Sequence, residues 1–78
     1  METRRLNIVR RRRNLTEAQL VAAITQHTDL PNDQASALAK IALADPPGHI
    51  VWAWDSGFPA EQVADVLIEQ GFEVTFDA

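Results

Sequence analysis

The sequence predicts an α/β (α+β) fold of the two-layer kind, with three helices packed on a small three-stranded sheet in the order strand, helix, helix, strand, helix, strand. Three observations predict it. The apolar periodicity changes from alternation to a helical repeat and back again along the chain. Short breaks rich in Asp, Pro, Asn and Gly at 29–33, 45–49 and 55–59 cut the chain into segments of element length. A composition of 46% hydrophobic and 23% charged residues belongs to a globular domain, well away from the disordered class.

The elements follow in order. Leu6 and Ile8, with Val9 beside them, form a short apolar run inside Arg4 to Arg12 and read as the first strand. Thr16 followed by Gln19 is a capping box, and Leu15 with Leu20 has the spacing of a hydrophobic staple. Leu20, Val21, Ile24 and Thr28 then recur on one face of a helix expected from Glu17 to His27. Pro31, Asn32 and Asp33 supply a helix start for an alanine-rich second helix over 33–44. Leu38, Ile41 and Ala42 are expected to face inward, and Ala35, Ala37, Ala39, Ala42 and Ala44 let a second backbone come close. Asp45, Pro46, Pro47 and Gly48 end it, and Ile50 to Trp54 is a run of strand formers. Pro59 opens a third helix with Val63, Val66 and Leu67 inward, and Gly71 is placed as its left-handed C-terminal cap. The last strand alternates, Phe72, Val74 and Phe76 against Glu73, Thr75 and Asp77.

Seventy-eight residues make one domain, 1–78, with residues 1–5 expected to fray. A chain this short buries only about 60% of the surface its unfolded form exposes, so its stability is modest. With no cysteine and two isolated histidines it has neither disulfides nor the ligands of a closed zinc site, and no cofactor is expected. No apolar stretch reaches the roughly 20 residues of a membrane span, so the expectation is a cytoplasmic protein with no membrane partner. The charge is polarised. Residues 1–13 hold six of the seven basic side chains and Glu2, a formal +5, whereas residues 14–78 set Lys40 against ten acids, −9, giving the net −4. Such a basic segment suits an acidic partner, a nucleic acid, or the chain's own acidic body.

The run Leu20, Val21, Ile24, Thr28, Leu30, Ala35, Leu38 resembles, without a gap, the apolar skeleton of the first two helices in the C-terminal domain of the ribosomal stalk protein. Glu69, Gly71, Val74 and Phe76 are similar to that family's closing helix, glycine turn and last strand. The protease adaptor ClpS shares the element order, and its middle strand is similar to Ile50 through Trp54. The resemblance implies the fold and a docking role on a larger machine. It does not extend to the functional positions. Where the stalk family presents basic residues on its first helix to recruit GTPases, this chain has Glu17, Ala22 and Thr25; where ClpS has its Asn-Asp-Asp run, this chain has Arg11, Arg12 and Arg13.

No Ser/His/Asp or Cys/His set can be written, and three glycines cannot form a phosphate loop, so an enzyme is not expected. His27 and His49 are the only candidates for acid–base work, and each reads more simply as a helix-end and a loop residue. Six residues are the candidate partner-binding set: Arg10, Arg11, Arg12, Arg13, Trp52 and Trp54. Two placements compete for the tryptophans. With Ile50 they form the core's main mass against the helices; with Val51 and Ala53 inward instead, they become an exposed anchor or a platform for bases. The arginines either lie solvated across from Glu73 and Asp77, or bind a partner, protein or nucleic acid. The sequence thus points to a protein-interaction module, an adaptor or modulator, with nucleic-acid binding through the arginine run as the alternative.

Overall fold

The computed structural model describes residues 2–11 and 14–77. Six elements follow one another: β1 (Thr3–Arg11), α1 (Glu17–His27), α2 (Asn32–Leu43), β2 (His49–Ala53), α3 (Ala60–Glu69) and β3 (Phe72–Asp77). The strands form one antiparallel sheet in the order β2-β1-β3, with the three helices against one face. The first strand is therefore central. Leu6 pairs with Ile50 on one side and Phe76 on the other, and it is fully buried. Within the stretch expected to fray, Thr3, Arg4 and Arg5 pair with Ala53, Trp52 and Val51. Ladder bonds to β2 outweigh the poor strand preference of an arginine-rich start.

One irregularity sets the chemistry of β1. Leu6 and Ile8 point toward the helices, and strict alternation would send Arg10 the same way. A register shift between Ile8 and Arg10 inserts Val9 as an extra residue, leaving it 55% exposed. Arg10 is thereby turned outward beside Glu73, and Arg11 falls opposite Phe72. The bulge keeps a guanidinium out of the core, where an unpaired charge costs several kcal/mol.

The core is built from Leu6, Ile8, Ile50 and Phe72 of the sheet and from apolar residues of all three helices. The N-terminus of α1 has the expected capping box. The Gln19 amide donates to Thr16 Oγ1 at 3.2 Å, and the Thr16 amide donates to Gln19 Oε1 at 3.1 Å. Leu15 packs half-buried against the core. The alanines of α2 divide: Ala35, Ala39 and Ala42 are buried in the helix pair, but Ala37 and Ala44 face solvent, and Ile41 is only half-buried. One helical face can hold no more than every third or fourth residue. Pro31 takes the N-cap place of α2 without a side-chain bond, its φ of −67° already suiting a helix start, and Asp33 Oδ1 accepts from the first-turn amide of Gln34 at 3.1 Å. Gly71 ends α3 with φ 94°, the left-handed conformation that favours glycine. The opposite face of the sheet, where Arg5, Val51 and Thr75 are exposed, carries no helix among the described residues.

Candidate functional site: an open aromatic cleft

The described members of the two groups of sequence candidates lie at opposite ends of β1. Arg10 and Arg11 close the strand. Trp52 pairs with Arg4 at its start, six residues away, which is about 20 Å along a strand. They do not form one site.

At the arginine end the side chains are engaged by the protein itself. Arg10 Nε meets Glu73 Oε2 at 2.7 Å in an ion pair on the open face of the sheet. Arg11 reaches the helix side, where Nη1 donates to the Leu43 carbonyl at 3.5 Å, at the C-terminal end of α2. A cation there meets the negative end of the helix dipole. Glu73 is thus the acid across from Arg10, as expected, while the residue opposite Asp77 is Arg5 rather than a member of the 10–13 run. Arg12 and Arg13 lie outside the described residues.

The tryptophan end is open. The two tryptophans divide between the two placements open to them: Trp52 packs half-buried against the core, while Trp54 follows the end of β2 and is 57% exposed. Its amide still donates to the Glu2 carbonyl at 3.3 Å, so the backbone is held while the indole is not covered. The turn that follows explains the second wall. Gly57 takes φ 78°, the Ser56 amide donates to the Ala53 carbonyl at 3.0 Å, and the chain folds back so that Phe58 lies 5.2 Å from Trp52, ring centre to ring centre. Phe76 meets the other side of Trp52 edge-on at 6.3 Å and 83°. Distances and angles of this kind are those of favourable aromatic pairs.

Phe76 lies on the helix-facing side of the sheet, as its alternation predicts, yet it is 52% exposed while its neighbour Leu6 is fully buried. The helical layer stops between the two. A depression of about 600 Å3 results, walled by Trp52, Trp54, Phe58 and Phe76, with Arg4 on one side and Glu61 of the first turn of α3 on the other. Both tryptophans and two of the three phenylalanines of the chain thus converge on one open cleft. Its capacity is that of an apolar anchor site, with one charge of each sign at the rim.

Four of these residues, Arg4, Phe58, Glu61 and Phe76, were not candidates in the sequence. Arg4 and Phe76 read as ordinary strand residues, since only the length of α3 decides that the cover ends before them. Phe58 carried a usable signal: a lone aromatic inside the polar break Asp55-Ser56-Gly57 and Pro59 has no core position of its own. His27 and His49 are both exposed, and among the described residues no three His, Cys, Asp or Glu side chains are grouped to hold a metal. No helix is long and apolar enough to cross a membrane, again among the described residues. The cleft is read on its own chemistry, because no protein-family model, no curated protein and no solved structure matches the chain.

Proposed function

We propose that the chain is a small non-catalytic protein-interaction module, an adaptor or modulator that docks on a larger cytoplasmic machine through the aromatic cleft. The observation that carries the reading is the exposure of Trp54 and Phe76 beside the Trp52–Phe58 pair. Leaving large aromatic surface in water costs folding free energy of roughly 25 cal/mol per Å2, so its retention at a preformed cleft favours a use in binding. Tryptophan, set in a ring of apolar neighbours, is the commonest anchor of protein interfaces. The resemblance to the stalk domain and to ClpS supports the same class of role. Nucleic-acid binding is less favoured: Arg10 and Arg11 are engaged by Glu73 and the end of α2, and they stand at the end of β1 far from the aromatic rings that would stack bases.

The test is capture of a partner by the tagged chain, in parallel with the Trp54→Ala variant and with nuclease treatment. Capture should survive nuclease and be lost with Trp54→Ala, since an anchor tryptophan contributes about 2 kcal/mol or more to an interface. Material that disappears on nuclease treatment would transfer the function to nucleic-acid binding. Equal capture by both proteins would remove the cleft from the interface.

A further inference from the structure

Among the described residues β3 pairs with β1 on one side only, so alternate backbone N–H and C=O groups of the strand point away from the sheet. Six residues of strand span about 20 Å, enough to pair with an added strand. A trough follows this edge of the sheet, bounded by α3 on the helix side and reaching Val9 and Glu73 at its far end. The aromatic depression shares Glu61 and Phe76 with a second one of about 340 Å3, which in turn shares Ile68, Val74 and Thr75 with a third of about 690 Å3. The three follow β3 from end to end. The floor is apolar: Ile68 is 57% exposed, Phe76 is 52% exposed, and Val74 between them is half-buried. Val74 and Phe76 stand two residues apart on one face, the spacing at which an extended chain presents its own side chains.

Beside the middle depression the charge of the described lining is of one sign, and Arg4 stands only at the aromatic end. Glu61 and Asp65 line the middle depression, and Glu69 continues their row one turn further along α3. The chain has no Lys or Arg after Lys40, so α3 and β3 contain no cation of their own. Arg10, from the neighbouring strand, is already paired with Glu73. Resting on the interaction-module reading, we infer that the trough takes an extended apolar segment of a partner protein that carries lysine or arginine, added as a fourth strand beside β3. The backbone edge supplies hydrogen bonds, Val74, Ile68 and Phe76 supply contact for alternate apolar side chains, and Glu61 and Asp65 select the basic ones. A second copy is the weaker occupant. Two β3 edges paired about a twofold axis bring the same acidic rows together, and like charges across paired strands repel. A nucleic acid meets the same repulsion from a row of carboxylates.

The test is a titration of the isotope-labelled chain, followed by amide shifts in NMR, with a heptapeptide that carries valine and lysine in turn at its even positions and threonine at its odd ones, so that valine and lysine both face the trough. Shifts are expected along β3 and on α3 from Glu61 to Ile68, with affinity falling between ~50 and ~200 mM salt as the charges are screened. The double variant Glu61→Gln, Asp65→Asn changes two exposed side chains and should keep the native spectrum while weakening binding roughly three- to tenfold. N-methylation of the peptide amides on one edge should abolish binding, and the same number on the other edge should not, because only one edge faces β3. Shifts confined to Trp52, Trp54 and Phe58 would overturn the strand-addition inference and leave the aromatic cleft as the docking site. Equal binding of a valine–glutamate peptide, no binding of any peptide, or a chain that dimerises through β3 in sedimentation would each overturn it as well. The module reading stands or falls separately, on the Trp54→Ala capture.

Discussion

The two ends of the sheet use their conspicuous residues in opposite ways. At one end Arg10 and Arg11, the most eye-catching feature of the sequence, are taken up by Glu73 and by the last turn of α2. At the other end Trp52 is shared between core and cleft, and Trp54 has no covering layer. The lesson is that a residue is free for function when the fold leaves its physical demand unmet. A guanidinium on a sheet face finds a carboxylate across the strand at little cost. An indole past the end of the helical layer finds only water, which is the environment it is least suited to.

The sharpest way to break this contrast lies within the aromatic end itself. Trp52→Ala removes a ring that packs on the core and on Phe58 and Phe76, and it should cost about 3 kcal/mol, the low end for a buried tryptophan because the ring is only half-buried. Trp54→Ala should change stability by no more than about 0.5 kcal/mol. Urea denaturation of both variants measures the difference against a total of roughly 4 to 12 kcal/mol for a domain of this size. The same pair of variants divides the fluorescence: emission left after Trp54→Ala should be blue-shifted and resist iodide, and emission left after Trp52→Ala should be red-shifted and readily quenched. Equal costs, or equal quenching, would mean that the two tryptophans share one environment and that the cleft is closed.

The arginine end is joined to the rest of the molecule through the start of α1, and there a neutral contact should outweigh the charges. Thr16 satisfies an otherwise unpaired amide of the first turn, in a reciprocal box with Gln19. Thr16→Ala should cost about 1 kcal/mol with the fold retained, read from the shift in the denaturation midpoint at unchanged slope. No shift would mean that the helix start is held by Leu15 and the helix pair alone.

What could be read from the sequence divides along the same line. Element order and nearly every boundary were legible because local signals and tertiary needs agree: the Thr16/Gln19 box, the Gly71 cap, and the alternation of Phe72, Val74 and Phe76 each have one consistent placement. The strand bulge was not legible. Val9 and Arg10 look like a continuing strand, and only the pairing with β3 decides that one residue is extra. The cleft was half legible for a related reason. Periodicity assigns Trp52, Phe76 and Ile50 to the same side of the sheet, but how far the helices extend over that side is a matter of layer size and loop path, which no local pattern encodes. The loop that places Phe58 against Trp52 belongs to the same class of information.

A small effect is also expected at Arg10, and it tests whether the arginine end is as self-contained as the ion pair implies. Its side chain is 63% exposed and that of Glu73 is 37% exposed, so water screens the 2.7 Å contact heavily. Exposed pairs of this kind contribute ~0.2 to 1 kcal/mol. Arg10→Gln keeps the length and the hydrogen-bonding capacity of the side chain while removing the charge, and it should therefore lower stability by less than 1 kcal/mol, with most of that difference gone at ~1 M salt, where the Debye length falls to about 3 Å. Denaturation of the variant at low and high salt, beside Glu73→Gln and the double variant, isolates the pair as a coupling energy. A coupling well above 1 kcal/mol that persists in high salt would mean that the pair fixes the bulge, and Arg10 would then have a structural role beyond surface pairing. A coupling near zero would return the guanidinium to solvent and make it available to a partner, which would erase the contrast between the two ends of the sheet.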